Sequence, residues 1–172
     1  MKLYVCVLMV CSAFFFQDAI SDKTAEAAAA GLMKQLGGRL KAGLQEGGPA
    51  EAIRICNVEA MPITGKVSKE QGLTLSRITD RPRNPKNLAT ASERDLMDLM
   101  RADLEKKALK PLYRLDGAVY KPLLIQPVCL TCHGENLPPQ VADKIAESYP
   151  VDRAVGYRPG QLRGAIKVAR NP

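Results

Sequence analysis

The sequence predicts an α+β domain organised around an antiparallel sheet. Helical patterning comes first: Leu32, Leu36, Leu40 and Leu44 recur at i+4 spacing and make one apolar stripe. Strands interspersed with helices follow. Asp116-Gly117 then separates two alternating runs, the mark of a tight hairpin. Helices first, then hairpin-joined strands, place the chain in the α+β class.

The elements follow in order. Lys2 and the apolar run Leu3–Phe16, with Ala19-Ile20-Ser21 as a small-x-small site, read as an export signal over residues 1–21. The run is shorter than the ~20 residues a spanning helix needs. An uncleaved run would instead serve as an N-terminal membrane anchor. Val10 is too bulky to precede a lipidated Cys11. Residues 22–172 are then expected as one domain. Thr24 to about Gln45 reads as a helix, with Gly37-Gly38 marking a bend or a close approach. Gly47-Gly48-Pro49 stops it, and Pro49 suits the first position of a second helix. That helix carries Ala52, Ile53, Cys56 and Ala60 on one face, and Pro62 is expected to kink or end it.

Gly72–Thr79 alternates as a strand, and residues 80–89 form a loop stiffened by Pro82 and Pro85. Thr90 and Glu93 form a capping box for a third helix with a Leu96, Met97, Met100 and Leu104 core stripe. Leu112–Leu115 and Ala118–Ile125 flank the Asp116-Gly117 turn. A short helix over Pro138–Ser148 and a strand over Leu162–Ala169 complete the pattern.

Composition narrows the function classes. Of 172 residues, 46% are hydrophobic and 25% charged, as in a soluble globular protein, and the net charge is +7. The basic residues are spread out and not interleaved with aromatics, which argues against nucleic acid. Such a surface suits an acidic protein partner or peripheral contact with an anionic membrane. Removing residues 1–21 takes away Cys6 and Cys11, leaving Cys56, Cys129 and Cys132, an odd set for a disulfide framework.

Residues 129–134 read Cys-Leu-Thr-Cys-His-Gly, and His133 is the sole histidine. Cys-x-x-Cys-His is the spacing at which two thiols attach the vinyl groups of a haem while the adjacent imidazole ligates its iron. The motif therefore predicts one covalently attached haem c, held by Cys129 and Cys132 with His133 on the metal. Two other readings use the same atoms. Cys56, Cys129, Cys132 and His133 form a Cys3His set suited to structural zinc in a binding module. Cys129 and Cys132 alone would make a dithiol oxidoreductase.

A second axial ligand must come from a residue other than histidine. Met33, Met61, Met97 and Met100 all fall in helical core stripes, where methionine packs. Cys56, flanked by alanines one turn either side, is a soft donor open to something broad and flat. The residues alone leave Cys56 divided between a ligand and an inert buried thiol. A thiolate ligand would favour ferric iron and lower the potential relative to a His/Met site. A weak ligand that leaves on reduction would open the iron to small gases. Arg81, Arg83, Asn84 and Asn87 crowd into one loop, either as donors to haem propionates or as an ordinary solvated turn. With the only histidine on iron, no Ser-His-Asp set is possible, and no enzyme activity is expected.

The chain resembles a c-type haem family with a PAS-like fold and Cys/His iron coordination, long described as a domain of unknown function. The matching residues are Ala52-Ile53, Cys56, Ala60, Arg77, Arg83-Asn84-Pro85, Asn87, Glu93, Leu96, Tyr120-x-Pro122 and the Cys129–Gly134 motif. Tyr149-Pro150-x-Asp152-x-Ala154-x-Gly156-Tyr157, Gly160 and Gly164-Ala165 complete the set. Leu88 departs from the pattern, standing where proline is expected. The resemblance spans about residues 25–170. It implies a PAS-like antiparallel sheet flanked by N-terminal helices, haem anchored at Cys129 and Cys132, and axial ligation by His133 and Cys56. The family also appears as the extracytoplasmic input domain of larger signalling proteins, and with the export signal and the haem motif the expectation is electron transfer or redox and small-ligand sensing in the periplasm. A redox partner or a separate signalling protein would read the state, because the chain has no room for an output domain.

Overall fold

The computed structural model describes residues 19–171. The expected export signal lies outside the described residues, apart from Ala19–Ser21. Helix α1 (Asp22–Val58) starts at Ser21, whose hydroxyl accepts from the Thr24 amide at 3.1 Å. Ile20 just before it is buried in the core.

The expected break at Gly47-Gly48 divides α1 into two limbs. Gly48 adopts φ 65°, ψ −157°, and Pro49 begins the second limb as the sequence predicts. The limbs close tightly on each other. A Cβ built at Gly43 would meet the Ile55 Cδ1 at 2.2 Å, so any side chain there would have to displace the end of Ile55. By contrast, Gly37-Gly38 stays helical, and a side chain there would meet nothing within 4 Å.

The next break falls at Glu59, and Pro62 lies in the first turn of helix α2 (Ala60–Gln71) rather than at a helix end. Proline has no N–H to give the carbonyl four residues back, so the discontinuity appears upstream of the ring. Gly72 then ends α2 in the left-handed region.

Strands β1 (Thr74–Ile78), β2 (Tyr113–Leu115), β3 (Ala118–Leu124) and β4 (Leu162–Ala169) form one antiparallel sheet in the order β1-β4-β3-β2. Asp116 and Gly117 take φ values of 48° and 74°, as a primed hairpin turn requires. Pro122 sits within β3 without losing a ladder bond. The β2 strand pairs only as far as Tyr120, so at Pro122 that side of β3 has no partner strand.

Helices cover both faces of the sheet. Ala25, Ala28, Ala29 and Leu32 of α1 and Val67 of α2 pack on Leu75, Val119, Ile166 and Val168. Helix α3 (Ala91–Glu105) presses Leu96, Met97 and Met100 onto Ile78, Tyr120 and Ala165 from the other side. Its capping box is formed as predicted, with Glu93 accepting from the Thr90 amide at 2.9 Å. Buried Glu93 also accepts from Tyr120 at 3.1 Å and Lys167 at 2.8 Å, tying α3 to β3 and β4. Two further helices, α4 (Leu130–His133) and α5 (Pro139–Ser148), lie beyond β3.

Candidate functional site

The apolar stripe of α1 changes character along its length. Leu32 is fully buried, whereas Leu40 and Leu44 are half-buried and line a cavity beside the second limb. The cavity has a volume of about 170 Å³, and a second lobe of about 280 Å³ shares Leu40, Cys56, Arg77, Asn87, Cys129, His133 and Arg163 with it.

A short turn, Pro127–Cys129, leads into α4. Helical geometry puts residues i, i+3 and i+4 on one side, so Cys129, Cys132 and His133 share a face. All three line the cavity. Backbone bonds hold this segment in place: the Tyr157 amide donates to the His133 carbonyl at 2.9 Å, and the Gly156 amide to Gly134 at 2.9 Å.

His133 Nδ1 lies 2.6 Å from the Ala154 carbonyl. A carbonyl can only accept, so Nδ1 carries the proton and Nε2 keeps its lone pair. Burial, reinforced by Arg83 and Arg163, pulls the imidazole down to about 3 despite the Ala154 carbonyl. The ring is therefore neutral at neutral pH, the form that binds a metal.

Arg83 holds the surroundings of that bond. It is 8% exposed, and its Nε and Nη2 each lie 3.1 Å from Asp152 oxygens. Nη2 also donates to the Cys132 carbonyl at 2.6 Å. Asp152 in turn accepts from the Ala154 amide at 2.9 Å. A continuous chain of bonds thus runs from Arg83 through Asp152 and Ala154 to His133.

Cys56 comes from α1. Ala52 and Ala60, one turn either side, are both buried, and Cys56 stands where two adjoining lobes of the cavity meet. Burial raises its thiol, opposed by the positive charges of Arg77 and Arg83. Burial likewise raises Cys132. Among the described residues Cys56, Cys129 and Cys132 are free thiols. No methionine lines either lobe, and Met97 and Met100 lie wholly within the core under α3.

The loop residues divide. Arg83, Asn84 and Asn87 line the cavity, although Asn84 Oδ1 is occupied by the Lys86 amide at 3.0 Å. Arg83 Nε and Nη2 serve Asp152 and the Cys132 carbonyl, so these atoms act as a strut for the motif. Arg81 points elsewhere: it donates to the carbonyls of Arg153 and Val155 and lies over the Tyr157 ring. Sequence reasoning gave no role to Arg77, Tyr149 or Arg163, which complete the lining. Arg77 and Tyr149 stand among the residues that carry the family resemblance, whereas Arg163 is a single cation near a strand end.

The donor set suits a broad group better than a small ion. Among the described residues no three His, Cys, Asp or Glu side chains come close enough together to hold a metal ion. The same thiols and imidazole nevertheless border one cavity. Arg77, which also lines the cavity, has its Nε buried without a hydrogen-bond partner. These features fit a haem.

No curated protein matches this sequence. A solved structure, described as the cyanobacterial haem protein Tll0287, shares the fold with a TM-score of 0.56. The two are 22% identical, and the match covers 86% of this chain and 89% of that one. The model of the Tll0287-like family matches residues 14–170, nearly the whole sequence, and the chain belongs to that family.

Proposed function

We propose that this chain is an exported haem c protein that carries electrons or senses redox state or a small ligand, and that it is not an enzyme. The observation that carries the reading is the meeting of Cys129, Cys132, His133 and Cys56 at one cavity. Cys129 and Cys132 supply the two attachment thiols. His133 offers Nε2 to the metal because Nδ1–H is committed to Ala154. Cys56 supplies the second axial donor. Bound there, haem contributes a one-electron iron couple and a coordination position that a small molecule can contest.

Support for haem over zinc comes from the scattered placement of the donors around the cavity. The family relationship to a haem protein points the same way. The net charge of +7 suits docking to an acidic redox partner or signalling protein, or contact with an anionic membrane, in the periplasm. Absorption spectra of both oxidation states, with and without CO, test the reading in wild type and Cys56→Ala. The expected result is a changed ferric spectrum and altered CO binding in the variant. Identical spectra and CO binding would remove Cys56 from the iron.

A further inference from the structure

Arg77 lies on β1, on the face it shares with Leu75 toward α1 and α2. It lines both lobes of the cavity, as Cys56 does. Its Nε is buried without a hydrogen-bond partner, and its one polar side-chain contact, from Nη2, is the Met61 sulfur at 3.9 Å. Burial disfavours its charged form, and no carboxylate offsets that cost; Cys56 is the first group that favours the charge. A buried guanidinium edge without an anion is costly, and natural proteins supply a partner. The other cavity arginines have theirs: Arg83 pairs with Asp152, and Arg163 donates to Thr79 Oγ1 at 2.9 Å and to the Arg81 carbonyl at 3.1 Å.

We infer that Arg77 is the counter-ion of the Cys56 sulfur in the loaded protein, positioned to offset the negative charge that this ligand brings to the iron. The inference rests on Cys56 being a ligand. A nearby positive charge favours the less positive, ferrous state, so Arg77 raises the reduction potential and weakens the preference for ferric iron set by the thiolate. Arg77 is a positioning residue in this scheme and touches the iron only through sulfur. A propionate carboxylate is the competing anion within the same cavity, and the two differ in what they couple to.

The test is a double-mutant cycle of reduction potentials on the haem-loaded protein, with Arg77→Gln and Arg77→Lys in the native and Cys56→Ala backgrounds. Arg77→Gln is expected to shift the couple toward ferric by tenfold or more, about 59 mV for one electron. Arg77→Lys should recover most of that shift. In the Cys56→Ala background the effect of Arg77→Gln should shrink severalfold. An equal shift in both backgrounds would assign Arg77 to a propionate and overturn the inference, as would no shift in either. Failure to take up haem in wild type would instead refute the functional reading itself.

Discussion

The two sides of the cavity are held in different ways. On the His133 side the backbone is bonded at successive residues, to Arg83 at Cys132, to Tyr157 at His133 and to Gly156 at Gly134. The ring itself is fixed by Ala154. The Cys56 side is a helical limb beyond a glycine break. Its ties are packing of Ile55 against Gly43 and of buried Ile53 against Val141, Ile145 and Tyr149, the Asn57 amide to the Ser148 carbonyl at 3.3 Å, and ion pairs among Arg39, Glu51, Arg54 and Glu59 that solvent reaches. Exposed pairs of that kind contribute little. His133 is therefore held by hydrogen bonds to its ring and backbone, whereas Cys56 is placed by the side-chain packing of its helix.

The largest expected effect removes the proposed attachment thiols on the His133 side. The double variant Cys129→Ala, Cys132→Ala should lose all haem staining on a denaturing gel while the wild type stains. Next comes the strut. Asp152→Ala leaves Arg83 as a buried, unpaired cation and should cost about 3–5 kcal/mol in denaturant unfolding. It should also disturb the iron spectrum, because the Ala154 carbonyl loses its support. Cys56→Ala should retain the full haem content, since it removes neither of the proposed attachment thiols. Loss of haem there would erase the contrast between the two sides.

The smallest effect is a control far from either side. Glu93 is buried, which by itself would raise its carboxyl. Lys167, the Thr90 amide and Tyr120 outweigh that burial, so its value in the fold lies below the ordinary one. A depressed carboxylate stabilises the fold fully above the unfolded value of about 4.3, and that contribution fades as pH falls through the folded value. Glu93→Gln should lose about 1–3 kcal/mol near neutrality and show a shallower acid loss than wild type, with an unchanged iron spectrum.

Much of this was legible in the residues. The capping box at Thr90, the Asp116-Gly117 turn, the break before Pro49 and the strand over Leu162–Ala169 are local chemistry, and each appears where its signal stands. Helix α2 was not legible, because Pro62 looks like a stop when a first-turn proline is equally a start. The apolar stripe holding Leu40 and Leu44 was legible but its target was not, since an apolar face toward a cofactor has the same spacing as one toward side chains. Arg83 was legible as a cation near the site. Its task as a strut depends on Asp152, 69 residues away in sequence, and no local pattern carries that. The N-terminal boundary also sharpens. A cut after Ser21 would remove buried Ile20, worth about 1.5–3 kcal/mol, and the α1 cap, worth ~1 kcal/mol. Under the proposed export, N-terminal sequencing of the mature chain should therefore find Ile20 retained.

The most direct measurement is the intact mass of the denatured protein, matured in a host equipped for cytochrome c assembly, with peptide mapping across the motif. A processed chain carrying one haem on the peptide that spans Cys129–His133 is the predicted result. A mass equal to the bare processed chain would contradict the account.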